Sequence, residues 1–169
     1  GCTVAANTAI TQPAALSVST SGNLTICTGQ SATINATVTG GVVPYNYNWS
    51  PSATLSCVNC VPVTASPTVT TAYTLTVTDL NNCIVQAITT VTVNSTPAPT
   101  ASSNSPVCSG QTLSLTASTI TGATYSWIGP NGFSFASQNP NITSVTAAAS
   151  GAYSVTATVG GCTGPAGTV

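Results

Sequence analysis

The sequence contains no lysine, arginine, histidine or methionine, and its 169 residues include one acidic side chain, Asp79. Each absence removes a class of function. Without a basic surface, phosphates cannot be neutralised, so nucleic-acid binding through counterion release is excluded. No polybasic patch exists to hold an anionic membrane. General acid–base catalysis draws on His, Asp, Glu or Lys, and one Asp beside a turn makes no pair. The many hydroxyls have no base to activate a nucleophile, so the chain is expected to be non-catalytic and to use no cofactor. A calcium cage wants several carboxylates, and a zinc site built on cysteine pairs would lack its other ligands. No apolar run approaches the ~18 residues that span a bilayer, so no membrane insertion is expected.

What is present is a β vocabulary. Serine and threonine make up a third of the chain, and Val, Ile and Thr fill its alternating runs. The clearest run lies within residues 67–83, PTVTTAYTLTVTDLNNC. Tyr73, Leu75 and Val77 alternate with Thr74, Thr76 and Thr78, the period of two that marks a half-buried strand. Residues 79–82 supply turn chemistry, and Cys83 follows. Residues 150–162, SGAYSVTATVGGC, repeat the unit with Tyr153, Val155 and Ala157 inward.

The seven cysteines expose an internal repeat. Cys2 and Cys27 stand 25 positions apart, as do Cys83 and Cys108. Residues 27–34, CTGQSATI, match residues 108–115, CSGQTLSL, and the Tyr–x–Trp of Tyr47 and Trp49 matches that of Tyr125 and Trp127. The period is about 80 residues. Such cysteine usage without histidine points to disulfides and an oxidising setting. The repeat predicts Cys27–Cys83 and Cys108–Cys162 bridges, with Cys57–Cys60 pinning a loop. Cys2 then pairs with a residue upstream of this chain, which accounts for the odd count. A Gly–Cys start also ends lipoprotein signals, but the 25-residue spacing accounts for Cys2 without one. Closing a loop of about 57 residues would contribute about 4 kcal/mol in the chain-entropy model.

These landmarks predict an all-β chain of tandem immunoglobulin-like β-sandwich domains in a repeat array. Residues 1–15 read as the last strand of a truncated preceding repeat. Residues 16–96 form one domain and residues 97–169 another, with its last strand incomplete. Strands are expected at 16–20, 31–38, 45–49, within 63–69, 73–78 and 83–93, then at 111–117, 124–127, 133–135 and 142–145. Trp49, Tyr47, Tyr73, Tyr125, Trp127 and Tyr153 are the expected core aromatics, and Phe133 and Phe135 are expected to face inward. Tyr153 and Tyr73 sit where a tyrosine corner would form. An aromatic sugar-stacking face at Tyr45, Tyr47 and Trp49 is the competing reading. A redox role for the Cys57–Cys60 motif competes with a loop-pinning bridge, but such motifs open helices. Asn23, Asn35, Asn48, Asn94 and Asn141 begin glycosylation-type sequons, incidental in so Thr-rich a chain.

Residues 7–16, NTAITQPAAL, resemble the I-T-Q-P-x-x-L segment of repeats in the gliding-motility adhesins of Bacteroidota. Residues 40–50, GGVVPYNYNWS, are similar to their G-G-x-x-P-Y-x-Y-x-W-S. Residues 55–73, with LSCVNC and ASPTVTTAY, resemble the PKD-like and Ig-like repeats of very large surface proteins of the same bacteria, and residues 105–111, SPVCSGQ, resemble their Ig-like repeats. The resemblance covers nearly the whole chain. It implies a segment of a cell-surface protein exported by the type IX pathway, although the family's C-terminal sorting domain is absent from these residues. The expected partners are neighbouring repeats of the same polypeptide, and lateral copies in a filament. The expected role is a rod for attachment, gliding or prey capture. The alternative is a carbohydrate-binding accessory module of a secreted enzyme.

Overall fold

The computed structural model describes residues 12–169. The chain divides into two compact units, Gly1–Val93 and Asn94–Val169, and each is built from short antiparallel strands.

In the first unit the strands are β1 (Ser17–Thr20), β2 (Leu24–Cys27), β3 (Ala32–Ile34) and β4 (Ala36–Thr39), then β5 (Asn46–Ser50), β6 (Val63–Ala65), β7 (Thr71–Thr78) and β8 (Ile84–Asn94). The sheet β2-β8-β7-β5 carries the most extensive pairing, and β1-β4 and β3-β6 form two smaller sheets. β7 is the alternating strand legible in the sequence. Tyr73, Leu75 and Val77 are fully buried, while Thr74, Thr76 and Thr78 are half-buried. It pairs with β8 from Thr71↔Val91 to Thr78↔Ile84 and with β5 from Asn46↔Thr78 to Ser50↔Thr74. Trp49 sits opposite Leu75 and is 1% exposed, the largest side chain of a core that also holds Ile34, Val63 and Val91. Its indole N–H donates to the Cys60 carbonyl at 3.1 Å, so burying the ring strands no donor.

One expected strand, 31–38, is two. β3 pairs with β6 and β4 with β1, and the change of partner falls at Asn35. There Ser21 donates its N–H to the Asn35 carbonyl at 3.0 Å, and the Asn35 N–H is met by the Ser21 hydroxyl. The alternation runs on through Asn35 without a break in its pattern, so periodicity alone does not reveal the switch.

The second unit contains β9 (Ala101–Ser103), β10 (Leu113–Ala117), β11 (Thr124–Ile128), β12 (Ser134–Phe135), β13 (Asn141–Ile142), β14 (Ser154–Val159), β15 (Cys162–Thr163) and β16 (Gly167–Thr168). Two short 3-10 turns, Pro130–Gly132 and Ala147–Ala149, interrupt them. β13-β10-β9 is one sheet; β12-β11-β14-β15 is the other, with β16 also on β14. Trp127 faces Val155 across the β11–β14 pair, is fully buried, and donates its indole N–H to the Gln138 carbonyl at 3.1 Å. The two units thus bury a tryptophan on the same kind of strand, each bonded to a carbonyl 11 residues downstream. Strands β2 and β9 were not expected, because each is too short to show alternation. Beyond Ile142 the expected strand gives way to a turn, with Ser144 at φ 54°.

Candidate functional site

The cysteines depart from expectation. Cys57 and Cys60 form a disulfide in the loop between β5 and β6. Cys27 and Cys162 are also disulfide-bonded, but Cys83 and Cys108 are free and exposed, so the expected Cys27–Cys83 and Cys108–Cys162 bridges are not made. Strand placement explains both. Asn23 Oδ1 accepts the Thr90 N–H at 3.0 Å, which fixes β2 beside the later part of β8. Cys83 lies seven positions before Thr90, and Cys27 only four after Asn23. At about 3.3 Å per residue they stay at least ~10 Å apart whichever way β2 runs, and a disulfide needs Cα atoms within about 7 Å. In the second unit Val107 lines a hollow with Tyr153, just before β14, while Cys162 pairs with Val159 at the far end of that strand. Six extended residues, about 20 Å, keep Cys108 and Cys162 apart. Cys2, with most of the expected truncated strand at 1–15, lies outside the described residues; residues 12–15 carry no strand.

Asp79 is a structural ligand to the backbone. Its side chain is 3% exposed. Oδ1 accepts the N–H groups of Asn81 at 2.9 Å and Cys83 at 2.8 Å, and Oδ2 accepts that of Val42 at 2.9 Å. Burial opposes the charged form, but the three backbone donors, aided by the Cys83 side chain, outweigh it and hold the carboxyl below its ordinary value. Both oxygens are thereby committed, and no group of metal-ligating side chains occurs among the described residues.

The aromatics separate into core and edge. Trp49, Tyr73, Trp127 and Tyr153 are 4% exposed or less, and Tyr125 is 9% exposed. Tyr47 and Tyr45 are only partly buried and pack against the first core, with the Tyr45 hydroxyl donating to the Gly40 carbonyl at 2.6 Å. The residues 45–49 therefore present no open stacking face. Tyr153 makes the expected corner, donating to the Ala149 carbonyl at 2.8 Å, and burial pushes its phenol up. Tyr73 does not: its hydroxyl bonds Thr54 Oγ1 instead. Phe135 overturns its expected inward placement, being 50% exposed at the edge strand β12. Only β11 flanks it, so nothing covers its outer side. Its ring lies 8° from parallel with that of Phe133, centroids 6.4 Å apart, and Phe133 meets Tyr153 edge-on at 5.5 Å.

Two hollows flank the Ala147–Ala149 turn of the second unit. One, of about 400 Å³, is floored by Leu113, Leu115 and Tyr153. The other, of about 330 Å³, is bounded by Phe133, Asn131 and Thr143 and shares Tyr153 with the first. The first unit offers instead a flat outer face. Asn46, Asn48 and Ser50 stand in register with Thr78, Thr76 and Thr74, and these with Ile84, Gln86 and Ile88. Ile84 and Ile88 are 62% and 64% exposed, and the face carries no charge.

No protein-family model matches this sequence, and no curated protein matches it. Solved structures do. The titin I-band fragment I67–I69 superposes at a TM-score of 0.51 with 11% identity, covering 94% of this chain and 65% of that one. The amphioxus IgVJ-C2 molecule matches at 18% identity and a TM-score of 0.38, over 86% of this chain and 98% of that one. A four-domain Dscam1 isoform matches at 14% identity and 0.44, over 95% and 46%. At these identities the likeness shows the fold: all-β and immunoglobulin-like.

Proposed function

We propose that this chain is a structural and adhesive segment of a large extracellular bacterial surface protein, one stretch of a longer array of such domains. The observation that carries the reading is the placement of β8. This strand leaves the first unit hydrogen-bonded between β7 and β2, with eight residue pairs to β7 alone. Tension on the chain is borne by several ladder bonds at once, which suits a spacer under load. The Cys57–Cys60 disulfide fits an oxidising compartment, and no helix among the described residues is long and apolar enough to cross a membrane. The resemblance of residues 7–16, 40–50 and 105–111 to Bacteroidota adhesin repeats supports a cell-surface location, type IX export and a part in gliding or prey capture. The work is mechanical and uses no catalytic step.

Single-molecule stretching of the chain between surface handles tests this. Discrete unfolding events for each unit are expected, and the first unit should weaken when Thr90→Pro removes the N–H bonded to Asn23. Featureless extension at low force would rule out a tension-bearing role.

Lateral association with copies of the same chain is a second reading, supported by the uncharged outer face with Ile84 and Ile88 exposed. Charged surface residues ordinarily keep sheet faces and edges apart, and a copy is a partner equally free of repelling charge. Electron microscopy of native cell-surface material distinguishes regular multi-stranded fibres from single threads.

A further inference from the structure

We propose that the second unit carries a binding site for neutral carbohydrate, at the hollow between residues 130–133 and the Ala147–Ala149 turn, with exposed Phe135 beside its Phe133 wall. The proposal is independent of the mechanical reading, since a spacer needs no ligand, and its failure would leave that reading untouched.

Three properties of the site select the ligand. The first is charge. Asn94–Val169 contains no acidic or basic side chain, so a charged ligand would shed water here without a counter-charge, which is costly. The second is the mixture of surfaces. The ring of Phe133 lines the hollow, backed by the buried Tyr153, the half-exposed Phe135 continues it as a nearly parallel ring 6.4 Å away, and hydroxyls come from Thr143, Ser144 and Thr146. A pyranose has the complementary mixture: C–H patches that lie on aromatic rings, and equatorial hydroxyls that both donate and accept. A purely apolar ligand would leave the lining hydroxyls dry and unpaired. The third property is that these hydroxyls are unspent. The side chains of Thr143, Ser144 and Thr146 make no hydrogen bond to any described residue, whereas Asn131 is held by the Ala148 carbonyl and so braces the turn against the loop.

Size and shape agree. The hollow, about 330 Å³, lies within the range of small-molecule sites and takes a sugar unit. Beyond the turn lies the second hollow, about 400 Å³, which shares Thr146, Ala149 and Tyr153 with the first. Adjacent hollows favour an oligosaccharide over a single sugar. Ser144 also holds a left-handed φ of 54°, uncommon for a residue with a side chain.

The test is amide NMR of the full chain titrated with cellohexaose, xylohexaose and maltohexaose, and with a sulfated heparin fragment as an anionic probe. The expected result is saturable shifts confined to residues 131–135 and 142–153 with at least one neutral hexasaccharide, unchanged when salt is raised to about 0.5 M. Phe135→Ala, at an exposed edge position, should keep the remaining spectrum and weaken binding about tenfold, and Thr146→Val should weaken it by a smaller factor. The proposal is overturned if no neutral probe shifts these amides at about 10 mM. It is equally overturned if Phe135→Ala binds as tightly as the parent, if only the anionic probe binds, or if the shifts reflect self-association of the chain through this edge.

Discussion

Asp79 shows how much one residue carries when it is the only one of its kind. Its carboxylate gathers the N–H groups of Val42, Asn81 and Cys83, tying the β4–β5 connection to the β7–β8 turn. Its folded-state pKa is depressed, so the stability it contributes is present above the unfolded-state value of about 3.9. That stability is lost as pH falls through the lower folded value. Thermal unfolding should accordingly be flat from pH 5 to 8 and weaken below about pH 4, and Asp79→Asn should remove this acid dependence. A titration curve unchanged in that variant would exclude Asp79 as its source. Trp49 governs packing in the same unit. It is 1% exposed and its indole N–H is bonded, so Trp49→Ala should cost about 3–5 kcal/mol, read as a shifted urea midpoint. The free thiols give a chemical check. Under native, non-reducing conditions Cys83 and Cys108 should alkylate, while Cys57 and Cys60 should react only after reduction. A Cys27–Cys83 or Cys108–Cys162 cross-linked peptide in the mass map would contradict the strand placement described above.

Elements are held by turns as much as by ladders. Gly40 and Gly41 follow β4 with φ of 70° and 65°. A Cβ at Gly40 would stand 2.0 Å from the Ala15 carbonyl oxygen, and one at Gly41 would press on Leu16 and on Asp79 Oδ2. Gly40→Ala therefore combines a left-handed backbone with a backbone clash and should destabilise by more than ~1 kcal/mol. Gly22→Ala, at a similar φ but with open space around its Cβ, should cost less. Comparison of the two variants by thermal melting separates the clash from the conformational term. At this scale the sequence is easiest to read where a strand is long. β7, with eight residues and one buried face, announces itself. β2, β9 and β13 span two to four residues, too few for a period of two to stand out from chance. They are strands because a longer neighbour offers its edge.

For the whole molecule, the absence of charge is the dominant property. Self-association, if the Ile84–Ile88 face drives it, should be insensitive to ionic strength, because there is no charge pattern for salt to screen. Sedimentation at low and high salt checks this, and a strong salt dependence would point to another surface. The same neutrality would make carbohydrate binding at the second unit salt-independent, unlike the binding of an anionic polymer.

The fold class and the two buried tryptophans are legible in the residues alone. These follow from composition and from a two-residue period, which a chain carries locally, whatever its partners. Tertiary structure decided what depends on which strand end lies beside which. Cys27 ends β2 and Cys83 immediately precedes β8 of the same sheet, yet the two stand at different levels of it, so matching repeat spacing did not make them a bridge. Phe135 alternates like an inward residue, but it lies on an edge strand with β11 on one side only, so half its ring meets water. Asp79 reads as an ordinary turn residue, and only the return of Val42 to its side makes it a three-donor anchor. For the cysteines and for Asp79 the deciding distance spans tens of residues, and in all three cases the outcome is fixed by placement in the sheets rather than by any local pattern.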